Sequence, residues 1–189
     1  MAHRNFDSRR IMDLGDRSIL LIGYRGTGKT TVAQLLAGRL GWDWMDADDE
    51  IERRAGKSIA AIFAEDGEAA FRDLEASIVA ELCRWRRSVV ALGGGAVLSE
   101  ANRTAIRLAG IVVWLTATVD TLVRRLAADE ATASRRPPLT ESGGLAEIET
   151  LLATREPIYR ACATFEVDTE DKTPAEIVEE IVARLQSRE

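Results

Sequence analysis

Five short apolar runs punctuate the chain: SILLI (18–22), WDWMD (42–46), SVVAL (88–92), GIVVWL (110–115) and ATFEV (163–167). Each is strand-like in length, and the segments between them follow a helical period. TTVAQLLAGRL reads as a helix closed by Gly41, and IERRAG as the start of a second helix. EAAFRDLEASIVAELCRW reads as a long amphipathic helix. Near the end, Thr173-Pro174-Ala175-Glu176 forms a capping box with proline at the first helical position, opening the helix IVEEIVARLQ. Strands and helices in strict alternation predict an α/β fold around a parallel sheet. One stretch breaks the alternation. Residues 129–144, DEATASRRPPLTESGG, have no apolar period and read as a long exposed loop.

The 189 residues suit a single α/β domain spanning 18–189. Residues 1–17 mix Arg with Asp, lack the apolar core of a secretion signal and read as a flexible tail. No apolar run approaches the length of a membrane span, so a soluble, cytoplasmic protein is expected. Cys83 and Cys162, without C-x-x-C spacing, suit a reducing compartment and receive no role. A net charge of -6 argues against nucleic acid as a partner, because binding phosphate backbone needs a basic face. Small-molecule chemistry is expected instead, in a monomer. The single histidine, His3, lies in the tail, so a general base has to be a carboxylate.

The first strand runs directly into GYRGTGKTT (23–31), where Gly23, Gly28, Lys29 and Thr30 meet the pattern G-x-x-x-x-G-K-[ST]. Glycines at 23, 26 and 28 let successive backbone N–H groups face anionic oxygens, and the helix that follows adds its positive end. Nucleotide phosphates are the expected ligand, held by Gly26, Thr27, Gly28, Lys29, Thr30 and Thr31. Lys29 reaches the β- and γ-phosphates, and the Thr30 hydroxyl binds Mg²⁺. A regulatory GTPase would carry N-K-x-D, but neither Asn5 nor Asn102 is followed by lysine. The third apolar run ends in Gly93-Gly94-Gly95 rather than an acid, so a carboxylate supporting the metal must come from elsewhere. The end of the second run, MDADDEIE, offers Asp46 and Asp48. Two residues apart on a continuing strand, they would share a face at the carboxyl edge of the sheet. One would support Mg²⁺ through water and the other take a proton from an acceptor hydroxyl. Asp49 and Glu50 read as favouring a helix N-terminus. In a phosphate-transfer enzyme the loop 129–144 would serve as a lid.

The ordered set GYRGTGKT, DADDEIE (46–52), FRDLE (71–75), GGGA (93–96), RPPL (136–139) and REPIY (155–159) resembles the shikimate kinase family over about residues 18–187. The resemblance implies a P-loop nucleoside-monophosphate-kinase-like three-layer α/β/α fold, with a five-stranded parallel sheet in order 2-3-1-4-5. It implies transfer of the ATP γ-phosphate to the 3-hydroxyl of shikimate, with Mg²⁺ as cofactor. Asp46 then matches the acid near the metal and Asp48 the residue contacting the reacting hydroxyl, within an acceptor-binding region of about 46–77. Arg72 and Arg155 match the pair that clamps the substrate carboxylate, a geometry guanidinium groups favour, and Glu75 could orient Arg72 one turn away. Gly93, Gly94 and Gly95 match a turn touching substrate, and Arg136 matches the lid residue that closes on the transferring phosphate. Arg125 and the loop Thr169–Pro174 resemble adenine-side elements. Arg135-Arg136-Pro137-Pro138-Leu139 carries one Arg and one Pro more than the family's Arg-Pro-Leu, leaving the choice between Arg135 and Arg136 open. A gluconate-type sugar-acid kinase, which shares loop and fold, is the alternative, and a non-catalytic nucleotide-binding module the next.

Overall fold

The five apolar runs become five parallel strands: β1 (Ser18–Ile22), β2 (Asp43–Asp46), β3 (Ser88–Ala91), β4 (Gly110–Thr116) and β5 (Phe165–Asp168). They pair in the order β2-β3-β1-β4-β5, as the resemblance implied. The structure is a computed structural model and describes residues 15–128 and 145–187. The proposed lid at 129–144, with Arg135 and Arg136, and most of the N-terminal tail lie outside the described residues.

Alternation along β1 divides the interior in two. Leu20 and Ile22 face one side together with Val90, Leu92, Val112 and Trp114, and Ile19 and Leu21 face the other with Val89, Ala91, Val113 and Leu115. On the first side lie α2 (Ala47–Ala55), α3 (Ile59–Glu65), α4 (Gly67–Leu82), α5 (Glu100–Ala109) and α7 (Leu145–Cys162). On the second lie α1 (Lys29–Leu40) and α8 (Pro174–Gln186), giving three layers. Both faces of the central strands are covered, which is why they read as unbroken apolar runs. Each fully buried aliphatic side chain, Leu20 among them, contributes roughly 1.5–3 kcal/mol relative to its exposed state. A third cluster joins Tyr24 to Leu122 of α6 (Val119–Ala128) and to Ile148 and Leu152 of α7. Among the described residues no helix is long and apolar enough to cross a membrane.

Local signals set the helix ends. Gly41 closes α1 in a left-handed conformation, its N–H donating to the Ala37 carbonyl. The Thr173–Glu176 capping box opens α8. Helix α4 stops at Leu82, three residues short of the sequence expectation, and Cys83–Arg87 turn the chain back into β3, with Arg87 at φ 51°. The second correction affects the site: β2 ends at Asp46 and does not continue to residue 48. Asp46 is the N-cap of α2, its carboxylate accepting the Asp48 N–H, so strand alternation does not relate the two acids. They meet across a helix cap instead.

Candidate active site

The carboxyl ends of β1, β2 and β3 open onto a cavity of about 300 Å³, where open α/β sheets bind ligands. One wall is the phosphate loop, with Gly26, Gly28, Lys29, Thr30 and Thr31, and the facing wall carries Asp46 and Asp48. Gly94 and Arg125 complete the rim.

The loop is held from within. Lys29 Nζ donates to the carbonyls of Gly23 and Tyr24, each at 2.9 Å. Thr27, buried, donates both its Oγ1, at 2.8 Å, and its backbone N–H, at 3.4 Å, to the Tyr24 carbonyl, so it fastens the loop from within. Position 23 admits no side chain: a Cβ there would stand 2.4 Å from the Leu115 carbonyl oxygen, at φ +140°. Gly28 caps α1 with no side chain to bond its first amides, which leaves a helix N-terminus equipped to bind an anion.

Across the cavity Thr30 Oγ1 donates to Asp46 Oδ2 at 2.5 Å, while Asp46 Oδ1 accepts the Asp48 amide at 2.8 Å. A hydroxyl and a carboxylate in contact at the phosphate loop form a hard, all-oxygen donor set of the kind Mg²⁺ takes beside phosphates. Thr30 and Asp46 therefore fit that ion. Behind them, Glu50 is buried and accepts both Arg53 and Arg54 at 2.6–2.7 Å. The Arg53 hydrogen bond, with help from Arg54, outweighs burial and holds the Glu50 carboxyl down at about 2. Glu50 is thus more than a charge at a helix start; through Arg54, which also pairs with Glu81 of α4 at 2.7 Å, it links the helix that carries Asp48 to α4.

Arg72 and Arg155, the pair the resemblance matched to a carboxylate clamp, come from different helices. Arg72 of α4 donates to Glu75 at 2.8 Å and to Glu68 at 3.1 Å. Burial opposes its charge, but the two carboxylates prevail and raise its pKa. Its guanidinium lies so close to Gly95 that a Cβ there would stand 2.8 Å from Nη1. Arg155 of α7 is 9% exposed and makes no hydrogen bond or ion pair among the described residues. One turn further on, buried Tyr159 donates its hydroxyl to the Gly94 carbonyl at 2.5 Å and stacks on Trp114. The Gly93–Gly95 turn is thereby tied to the helix that carries Arg155. Arg125 bridges walls too, donating to Gly26 O at 3.4 Å, Thr169 Oγ1 at 2.9 Å and Thr169 O at 2.7 Å.

Of the residues singled out from sequence, Gly26, Gly28, Lys29, Thr30, Thr31, Asp46, Asp48, Gly94 and Arg125 line this cavity; Thr27, Arg72, Gly93, Gly95 and Arg155 do not, and Arg136 lies outside the described residues. Sequence reasoning passed over Tyr24 and Tyr159. The i,i+4 spacing of Arg155 and Tyr159 within REPIY was the available signal for the second; Tyr24 offered none.

The profile of the shikimate kinase family matches residues 25–186. The shikimate kinase of Rhodopirellula baltica is 48% identical over 164 residues, covering 87% of this chain and 88% of its relative. Among solved structures, the shikimate kinase from Acinetobacter baumannii in complex with shikimate superposes with a TM-score of 0.88 at 32% identity, covering 96% of this chain and 98% of the other. A gluconokinase from Sinorhizobium meliloti reaches a TM-score of 0.51 at 22% identity, covering 92% and 93%, a likeness of fold alone. With the match running almost end to end in sequence and in fold, this chain belongs to the shikimate kinase family.

Proposed function

We propose that this chain transfers the γ-phosphoryl group of ATP to the 3-hydroxyl of shikimate, giving shikimate 3-phosphate and ADP. The observation that carries the reading is that Arg72 lies against Gly95 while nearly buried Arg155, one helical turn before the Tyr159 that bonds Gly94, lies over the ring of Tyr24 in the phosphate loop. A nearly buried arginine without an anionic partner among the described residues is costly unless a ligand supplies the anion. The shikimate carboxylate would do so, received by Arg155 and Arg72, while Glu75 and Glu68 hold Arg72 in place.

With its carboxylate fixed, the ring presents a hydroxyl to Asp48. That hydroxyl's oxygen forms the new bond to the γ-phosphorus as the bond to the bridging oxygen of ADP breaks, and its proton passes to Asp48. Phosphoryl transfer demands mostly positioning and charge stabilisation, so orienting the hydroxyl is as much a part of Asp48's task as taking the proton. Lys29 and the free amides of the loop and of α1 hold the phosphates, and Arg125 with Thr169 forms the adenine side. Arg135 or Arg136, from the segment 129–144, is assigned to the transferring phosphate. Thr30 and Asp46 would hold Mg²⁺, which supplies charge neutralisation on the phosphate oxygens.

The test is ADP release by the purified protein with shikimate, gluconate, AMP or CMP as acceptor. Turnover with shikimate at least a hundredfold above the others is expected. Faster turnover with gluconate or a nucleoside monophosphate would overturn the assignment.

A further inference from the structure

Tyr24, the second residue of the phosphate loop, has so far served only through its backbone, whose carbonyl accepts Lys29 Nζ and Thr27 Oγ1. Its side chain turns towards α6 and α7. The ring is 1% exposed and packs with Leu122, Ile148 and Leu152, and two guanidinium carbons, those of Arg155 and of Tyr24's chain neighbour Arg25, each lie 5.8 Å from its centroid. Arg155 makes no hydrogen bond or ion pair among the described residues, so this ring is its electrostatic contact there. The phenol oxygen is buried with no hydrogen-bond partner among the described residues. A buried hydroxyl without a partner costs stability, which leaves the π face as the useful part of the side chain.

We propose that Tyr24 is a positioning residue for the acceptor. Its ring face holds the Arg155 guanidinium ready for the shikimate carboxylate, and its carbonyl holds Lys29, so one residue joins the acceptor clamp to the phosphate loop. This rests on the reading of Arg155 as a carboxylate ligand. A cation over an aromatic face gains attraction from the ring's quadrupole that an aliphatic side chain of similar bulk cannot supply. Pure core packing would instead require only volume.

The two accounts separate in shikimate affinity, measured by calorimetry on the full chain. Tyr24→Leu should weaken shikimate by about 2- to 30-fold, leave ATP affinity within twofold, and be rescued fully by Tyr24→Phe. The loss should vanish for shikimate methyl ester, which lacks the carboxylate charge, and in an Arg155→Ala background. Should Tyr24→Leu fold poorly, phenylalanine analogues carrying one, two or three ring fluorines at position 24 keep the shape while draining the face. Shikimate affinity should then fall stepwise with each fluorine. A flat fluorine series, or a Tyr24→Leu loss equal for acid and ester, would overturn the proposal and leave Tyr24 as packing. If Arg155→Ala itself leaves shikimate affinity unchanged, the carboxylate clamp is wrong and the role of Tyr24 falls with it.

Discussion

Replacing Gly95 by alanine would set a methyl carbon 2.8 Å from Arg72 Nη1, 3.3 Å from Nη2 and 3.4 Å from Cζ. The backbone is no obstacle, since Gly95 sits at φ -96° and ψ -9°, open to any residue. What must give way is the guanidinium, by about half an ångström or more to regain ordinary contact. Arg72 is held to Glu75 and Glu68, so it cannot yield without loosening both bonds. A misplacement of about 1 Å near a reacting group can cost ~10²-fold. We therefore expect shikimate kcat/KM to fall by roughly 10- to 100-fold, mainly through KM, because Arg72 binds rather than reacts. Folding stability should change by less than about 1 kcal/mol, since a flexible side chain moves and alanine restricts the unfolded chain. Gly94→Ala is the contrast. There a Cβ meets the phosphate-loop backbone, Gly23 O at 3.3 Å and Arg25 N at 3.5 Å, so the loop must give by a few tenths of an ångström and any loss should fall on ATP as well as shikimate. The assay is initial rate against shikimate at saturating ATP, beside a thermal melt. A Gly95→Ala enzyme with shikimate KM within twofold of the parent would refute the placement of Arg72 against that turn.

Asp48→Asn should lower kcat by roughly 10²- to 10⁴-fold if the residue takes the proton, whereas Asp46→Asn should lose about 10- to 100-fold and recover partly with added Mg²⁺; equal Mg²⁺ rescue of both in rate profiles would merge their roles. Tyr159→Phe keeps the stack on Trp114 but leaves the Gly94 carbonyl unbonded, so denaturant titration should show a loss of about 1–3 kcal/mol, with a raised shikimate KM. Because the Glu50 carboxyl is held at about 2, below its usual 4.5, its contribution to stability is complete above about pH 4.5 and is lost as pH falls towards 2. Glu50→Gln should therefore melt earlier than the parent at pH 7 and nearly match it near pH 2, and a gap that persists unchanged at acid pH would contradict the pairing with Arg53 and Arg54.

What could be seen in advance was whatever is local. Gly41 and the Thr173–Glu176 box act within a few residues of themselves, and the P-loop is a contiguous backbone device. Covered strands such as β1 and β4 announce themselves as apolar runs, while the edge strands β2 and β5 are half polar and leave Asp43 and Trp44, and Glu166 and Asp168, exposed. The sheet order came from family likeness, since periodicity says nothing of which strand lies beside which. The acids were read in the wrong frame: alternation along a strand seemed to pair Asp46 with Asp48, but an aspartate followed by acids is also an N-cap, and the cap prevailed. The pairing of Glu50 with Arg53 and Arg54 at i,i+3 and i,i+4 was legible, but its burial was not. Tyr159 and Gly94 are 65 positions apart, and Tyr24 meets Arg155 only through the folding of α7 onto the loop. No sequence-local rule reports such contacts.

The central claim is the identity of the bond formed, and ¹H–³¹P correlation spectroscopy of the product made from shikimate and ATP reads it directly. The account predicts one new phosphate monoester whose phosphorus couples to the proton on C3 of the ring, formed with one equivalent of ADP. Coupling to the C4 or C5 proton, or ADP formed with inorganic phosphate and no ester, would contradict it.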